Sequence, residues 1–325
     1  MNTTSGIKTI LLTAIAPIVW GSTYIVTTEV LPPHSPLMAS LVRALPAGIL
    51  LVLFARTLPT GNWWWRLPIL GIFNIGFFFY CLFFAATELP GGMAALVMSF
   101  QPMLVMTMSW FLLSTRITPL QWIAGGIGVI GIGLLVLNQT AALSIQGLLI
   151  ACLGTLSMAS GVVLTKKWGR PQEMSTLGFT GWQLLFGGML LLPITLWIEG
   201  IPEQITPLNY LGYGYLSVVG AMLAYFLWFR GIEQLPTVTV SFLGFLSSVS
   251  ACLLGYVILD QALTWGQLLG ASAIFLSIVL AIPRSSSATY STTPSFSLKG
   301  IDMKLTLVSG SQRAHSQSLG RASAP

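Results

Sequence analysis

Charge is what this chain lacks most. Of its 325 residues only 7% are Asp, Glu, Lys or Arg, while 54% are hydrophobic. A soluble globular chain carries about 25% charged residues, so there is too little polar material to cover a water-facing surface. That excludes a soluble enzyme, a disordered protein and a free-standing nucleic-acid-binding domain. The net charge of +6 does not restore a nucleic-acid partner, because the basic residues are scattered between apolar runs and form no stripe. Histidine is reduced to two and cysteine to three. Cys81, Cys152 and Cys252 lie inside apolar runs, without metal-ligand spacing and without an even number for disulfides. No Ser-His-Asp or Cys-His set is available, since His34 follows Pro32-Pro33 in a turn and His315 lies in a polar tail. The glycine run at 125–133 has no Lys and no preceding strand, so it reads as helix packing and not as a phosphate loop. The expectation is a polytopic membrane protein that is not an enzyme and holds no metal or cofactor.

What is abundant is apolar runs of membrane-spanning length, roughly 20 residues each. They fall at 8–28, 36–55, 67–87, 91–113, 120–137, 145–167, 175–197, 209–231, 237–259 and 265–282. Pro32-Pro33, Pro59, Pro90-Gly91-Gly92, Pro119, Asn138, Pro171, Pro202, Pro207, Pro236 and Asp260 punctuate them, and such residues end helices. The first run continues as a full span without an A-x-A-like cleavage site, so it is not read as a signal peptide. Ten helices joined by short turns leave no room for an extramembrane domain within 8–282.

Charge tests the count. With the N-terminus inside, Lys8, Arg56, Arg66, Arg116, Lys166, Lys167, Arg170, Arg230 and Arg284 all collect on the inner side. The outer connections hold Glu29, His34, Glu88, Glu199, Glu203 and Asp260, and no Lys or Arg. This is the positive-inside pattern, and it predicts both termini in the cytoplasm. After Pro283 the chain turns rich in Ser, Thr and Gly, with Lys299, Lys304, Arg313 and Arg321 far apart. A disordered cytoplasmic tail over 284–325 is expected there, too sparsely basic for a lipid anchor.

The two halves resemble each other. A shift of 146 residues lays Glu88-Leu89-Pro90 on Gln234-Leu235-Pro236, Thr118-x-x-Gln121 on Thr264-x-x-Gln267, and Phe79 on Tyr225. Small residues stay in register, Ala124 on Gly270 and Gly125 on Ala271. The predicted organisation is a first repeat at 1–142 and a second at 143–283. Five crossings per repeat force the second copy to insert upside down. The fold class expected is therefore an all-α membrane protein of ten transmembrane helices in two inverted five-helix repeats, the plan of many secondary transporters.

The motifs IAPIVWGSTYIV, SLVRALPAGILLVL, ATELPGGMAALVMSFQP, ITPLQWIAGGIGVIGIGLLVL and QGLLIACLGTLSMASGVVLTKKW stand in the first run, the second run, the turn between the third and fourth, the fifth run and the sixth run. In these the chain resembles the ten-helix drug/metabolite transporters of the EamA type over about 8–282, and within them looks most like the PecM branch. The resemblance implies export of small metabolites, amino acids or their derivatives across a cytoplasmic membrane. Family members often carry Glu in a G-E-x-L-T pattern at the ends of helices 4 and 9; here Thr115 and Gln261 stand there, with Asp260 one residue earlier.

Arg43 is the informative charge, about eight residues into the second run, where a charge costs at least about 2.5 kcal/mol unless paired or wetted. Two readings stand side by side: it faces a central cavity, or it snorkels to the outer surface. With Trp20, Tyr24, Tyr80, Met98, Gln101, Met158, Trp182, Tyr225, Trp228 and Ser248 it makes the candidate substrate-binding set, an adaptable wall of aromatics, methionines and neutral donors. Gln101 precedes Pro102, which breaks the backbone ladder within a span. Trp63, Trp64 and Trp65 beside Arg66 read as an interfacial belt. The leading function is a secondary exporter with alternating access; the alternative is a non-transporting scaffold or a membrane-embedded enzyme. The partners expected are a small-molecule substrate and the bilayer, with the chain as monomer or homodimer.

Overall fold

The computed structural model describes residues 3–33, 35–89, 96–136, 144–202, 204–258 and 264–282. His34, Asn138, Glu203, Asp260, Gln261 and the tail after Ile282 lie outside the described residues, as does the side chain of Tyr24. Every described regular element is a helix, and the described residues form ten helical units, eight of them long and apolar enough to cross a membrane and two, α5 and α10, shorter apolar helices. They are α1 (Thr3–Ile25, continued by a π-helical turn at Val26–Val30), α2 (Pro36–Ala55), and α3 (Trp63–Gly71 and Phe77–Glu88 about a π-helical turn at Ile72–Gly76). Next come α4, whose main part is Gln101–Leu113, α5 (Pro119–Val136), α6 (Ile145–Trp168) and α7 (Thr176–Ile198). The last are α8 (Pro207–Ser217 and Ala224–Gln234 about a π-helical turn at Val218–Leu223), α9 (Thr237–Leu243 and Leu246–Ile258) and α10 (Trp265–Ala281).

Packing shows the inverted repeat. α2 lies on α7 and α5 on α10; α1 packs on α8 and α9, and α6 packs on α3 and α4. Exchanging each helix for the one five places later returns the same set of pairs, which is a two-fold relation. Local irregularities obey it too. The π-helical turns of α3 and α8 begin at Ile72 and Val218, 146 residues apart. The Thr118–Gln121 and Thr264–Gln267 matches are both reciprocal helix caps: each threonine hydroxyl accepts the glutamine backbone N–H, and each glutamine side chain accepts the threonine backbone N–H.

Sequence reading takes the fourth and ninth spans as continuous. Both are interrupted instead, at Ser99–Phe100 and at Gly244–Phe245. Pro102 explains the first: without an amide hydrogen it sits best in the first turn of a helix, so the helix restarts at Gln101.

Between helices in lipid, close packing replaces the hydrophobic effect as the main attraction. At the α2–α7 crossing a Cβ on Gly48 would collide with the Leu185 amide nitrogen. At the α5–α10 crossing a Cβ on Gly270 would lie 2.6 Å from the Gly131 carbonyl oxygen. Ser277 adds a hydrogen bond to the Ala124 carbonyl at 2.7 Å. Outside this packed interior large apolar side chains are bare, Trp197 at 90% and Trp265 at 83% exposure, as a lipid-facing surface requires.

Candidate functional site

The two repeats enclose a cavity of about 430 Å³. α1, α2, α3, α4, α6, α8 and α9 all contribute to its wall, with Ile132 of α5. Of the eleven candidate residues, Trp20, Arg43, Met98, Gln101, Met158, Tyr225, Trp228 and Ser248 line it. Tyr80 and Trp182 do not. Tyr80 stacks on Phe84, and the Trp182 indole N–H donates to the Thr57 carbonyl at 2.8 Å, near the helix end where Trp182 also meets Trp64.

Arg43 belongs to the cavity and does not snorkel. It is 4% exposed, and its guanidinium carbon lies 4.9 Å from the Phe79 ring centre and 6.0 Å from that of Tyr225. Its Nη2 donates to the Gly220 carbonyl at 3.1 Å. The same carbonyl accepts the Trp20 indole N–H at 3.0 Å. Gly220 lies in the π-helical turn of α8, where a widened turn redirects carbonyls away from the helix's own ladder. A ring face supplies roughly 2 kcal/mol to a desolvated cation, so the rings and the carbonyl offset part of what burial costs the charge.

Around Arg43 the wall is aromatic. Trp20 packs at 4.9 Å on Tyr225 and at 5.1 Å on Trp228. Sequence reasoning missed Phe78, Leu82, Phe83 and Phe245, which also line the cavity. No signal separates a lining phenylalanine from a lipid-facing one in a chain with 17 of them. Hydroxyls in the wall largely bond their own backbone: Ser99 to the Leu96 carbonyl, Thr155 to that of Ala151, Ser241 to that of Val238 and Ser247 to that of Gly244.

The two rims differ. On the side where α1 begins, Lys166 Nζ donates to the carbonyls of Ile232, Glu233 and Leu235 at 2.8, 3.0 and 2.9 Å, a cation on the negative end of α8. Arg170 pairs with Glu233 at 2.8 Å and donates to the Met174 carbonyl. Arg66 lies between the rings of Trp63, Trp65 and Trp168. On the opposite rim the Glu199 carboxylate accepts the Leu37 and Met38 amides, both at 2.7 Å, capping α2. The Asn209 amide donates to the Val30 carbonyl at 2.6 Å. The cavity wall reaches Thr27 and Pro36, on that opposite side.

A two-part wall with a buried cation at the repeat axis is a transporter's arrangement, and sequence relatives agree. The EamA-like transporter family pattern matches twice, over residues 7–137 and 145–282. The chain belongs to the EamA-like transporter family. It is thus a membrane transporter by family and not an enzyme. Protein PecM of Dickeya dadantii (strain 3937) is 50% identical over 265 residues, covering 82% of this chain and 89% of that one. The uncharacterized transporter sll0355 of Synechocystis sp. is 30% identical, covering 83% and 88% of the two chains. The uncharacterized inner membrane transporter YedA of Escherichia coli (strain K12) is 29% identical, covering 81% and 87%. A solved crystal structure superposes with a TM-score of 0.73 at 18% identity, over 84% of this chain and 97% of its own, which establishes the fold of this EamA-like chain.

Proposed function

We propose that this protein exports a small metabolite, an amino acid or a derivative of one, across the cell inner membrane by alternating access. The repeats divide at 1–142 and 143–283, and both termini, with the tail 284–325, face the cytoplasm. The observation that carries this reading is Arg43, a buried cation in the wall of a central cavity, held by Phe79 and Tyr225 from the two halves. The one-sided distribution of Lys and Arg supports the orientation, and the likeness to the inner membrane transporter YedA supports the location. Trp20, Met98, Gln101, Met158, Tyr225, Trp228 and Ser248 form the substrate wall with Arg43. In this orientation Lys166 and Arg170 hold the cytoplasmic rim shut while the cavity faces outward.

The test is release of candidate amino acids and metabolites from loaded proteoliposomes. Arg43→Ala should still insert and melt cooperatively but lose most of the flux of every accepted compound. Unchanged flux would remove Arg43 from the site. Labelling by an impermeant reagent from outside, expected for a cysteine at Glu203 and not for one at Lys167, checks the orientation.

A further inference from the structure

A ladder of rings connects Arg43 to the interruptions of α4 and α9. The guanidinium lies 6.0 Å from Tyr225, Tyr225 lies 4.9 Å from Trp20, and Trp20 lies 5.1 Å from Trp228. Beyond Trp228 stands Gly244, where a Cβ would lie 4.0 Å from Trp228 Cη2 and 4.0 Å from the Gln101 side-chain oxygen. Gln101 opens the second part of α4 and Gly244 closes the first part of α9, so the two interruptions meet here.

Two donors at this end are idle. The indole N–H of Trp228, a residue 1% exposed, and the amide nitrogen of Gln101 are buried without a hydrogen-bond acceptor among the described residues. Both side chains line the cavity. A buried donor without an acceptor is costly, and such groups call for an explanation; in a transport cavity an arriving ligand is the simplest one. The carbonyls of Leu96, Val238 and Gly244 take the hydroxyls of Ser99, Ser241 and Ser247. Gln101–Leu113 and Leu246–Ile258 both begin at this place, which adds the positive ends of two half-helix dipoles.

We propose that the α4–α9 interruption is a second pole of the cavity that binds an acceptor. The cargo class that fits is a flat aromatic or heteroaromatic anion with oxygen acceptors at both ends. One end sits at Arg43, the other takes hydrogen bonds from Trp228 Nε1 and Gln101 Nε2, and the rings lie on the Tyr225–Trp20–Trp228 ladder. The assignment rests on this cavity being the transport site. A cationic group is repelled at the Arg43 pole by like charge.

The probes are naphthalene-2,6-dicarboxylate, 2-naphthoate and 2-naphthylmethylamine, titrated calorimetrically into the purified full-length protein. The dicarboxylate should bind at least about tenfold more tightly than 2-naphthoate, one charge-assisted hydrogen bond's worth, and the amine should not compete. Trp228→Phe keeps an aromatic ring and removes the N–H. It should weaken the dicarboxylate several-fold more than it weakens 2-naphthoate; Gln101→Leu should act in the same direction. Equal binding of the two acids, competition by the amine, or equal weakening of both acids by Trp228→Phe would overturn the second pole. Arg43→Gln separates the levels. If 2-naphthoate binding falls with Arg43→Gln but the second carboxylate adds nothing, only the acceptor pole is lost. If neither acid binds in an Arg43-dependent way, the transport-site reading fails with it.

Discussion

Phe79 and Tyr225, 146 residues apart in sequence, face each other with their rings 6.2 Å apart, edge to face. They are the same position of the two repeats. In an inverted duplication only residues beside the two-fold axis can meet their own counterparts, so this pair lies beside the axis that relates the halves. Arg43 rests over both rings and has no such counterpart in the pair. A single charge placed at a symmetric junction is sensitive to which half has moved, and a transport site needs that property.

The planarity of Arg43 should matter as much as its charge. Its guanidinium faces two rings and still reaches the Gly220 carbonyl, a division of labour that a compact ammonium cannot reproduce. Arg43→Lys is expected to lower proteoliposome flux at least about tenfold while shifting the melting temperature by only a few degrees. Flux equal to that of the parent would show that charge alone suffices.

At the α5–α10 crossing the backbones touch. Gly270 and Gly131 each leave no room for a Cβ, 2.6 Å and 2.8 Å from the partner's carbonyl. Gly270→Val should force the helices apart and cost about 1–3 kcal/mol or more by overpacking, read as a lowered melting temperature in detergent. Gly126→Ala, with nothing within 4 Å of the added carbon, should melt like the parent. Equal stability of both variants would deny that this crossing holds the repeats together.

The ten helices, their order and the inverted duplication were legible because span length, turn residues and small-residue register are written locally in the chain. Arg43 was legible as an anomaly, but its direction was not. Eight residues into a span, the outer surface is only about 10 Å away at roughly 1.5 Å per residue, and only the π-helical turn around Gly220 decides that a partner waits inside. Neither that turn nor its mate at Ile72–Gly76 has a residue signature in an apolar run. Trp182 shows the opposite failure. As a polar aromatic in a span it looked like a wall residue, yet its N–H is used on Thr57 at a helix end. Lys166 was counted only as a topology signal, whereas three carbonyls of the α8 terminus depend on it.

Lys166 should therefore act as a latch on its rim. Lys166→Met keeps the apolar stem, removes three charge-assisted hydrogen bonds and exposes the α8 terminus, a loss of about 1–3 kcal/mol for the closed rim. A cysteine at Thr239, 1% exposed on the first part of α9, reports on that rim in a background with the three native cysteines replaced. Its modification by a thiol reagent is expected to speed up several-fold with Lys166→Met. No change in rate would mean that the Arg170–Glu233 pair alone keeps the rim closed.

Energy coupling follows from where the carboxylates are. Proton-coupled carriers place a titratable group within the membrane, where its protonation can be tied to the access state. Here the described cavity wall contains one arginine and no Asp, Glu or His. Each described carboxylate stands at a rim with other employment or in the open. Glu199 caps α2, Glu233 pairs with Arg170, Glu88 accepts the Ser144 hydroxyl, and Glu29 and Glu173 are exposed. Downhill transport is therefore expected to need no proton gradient, so that the protein works as a facilitator or exchanger and any gradient dependence comes from the charge of the cargo. The measurement is flux into liposomes with equal pH on both sides and the membrane potential clamped. Undiminished flux is the expected result. Strict dependence on an imposed proton gradient, abolished by Glu29→Gln, would place the coupling group at the π-helical end of α1 and show that the cavity wall does not act alone.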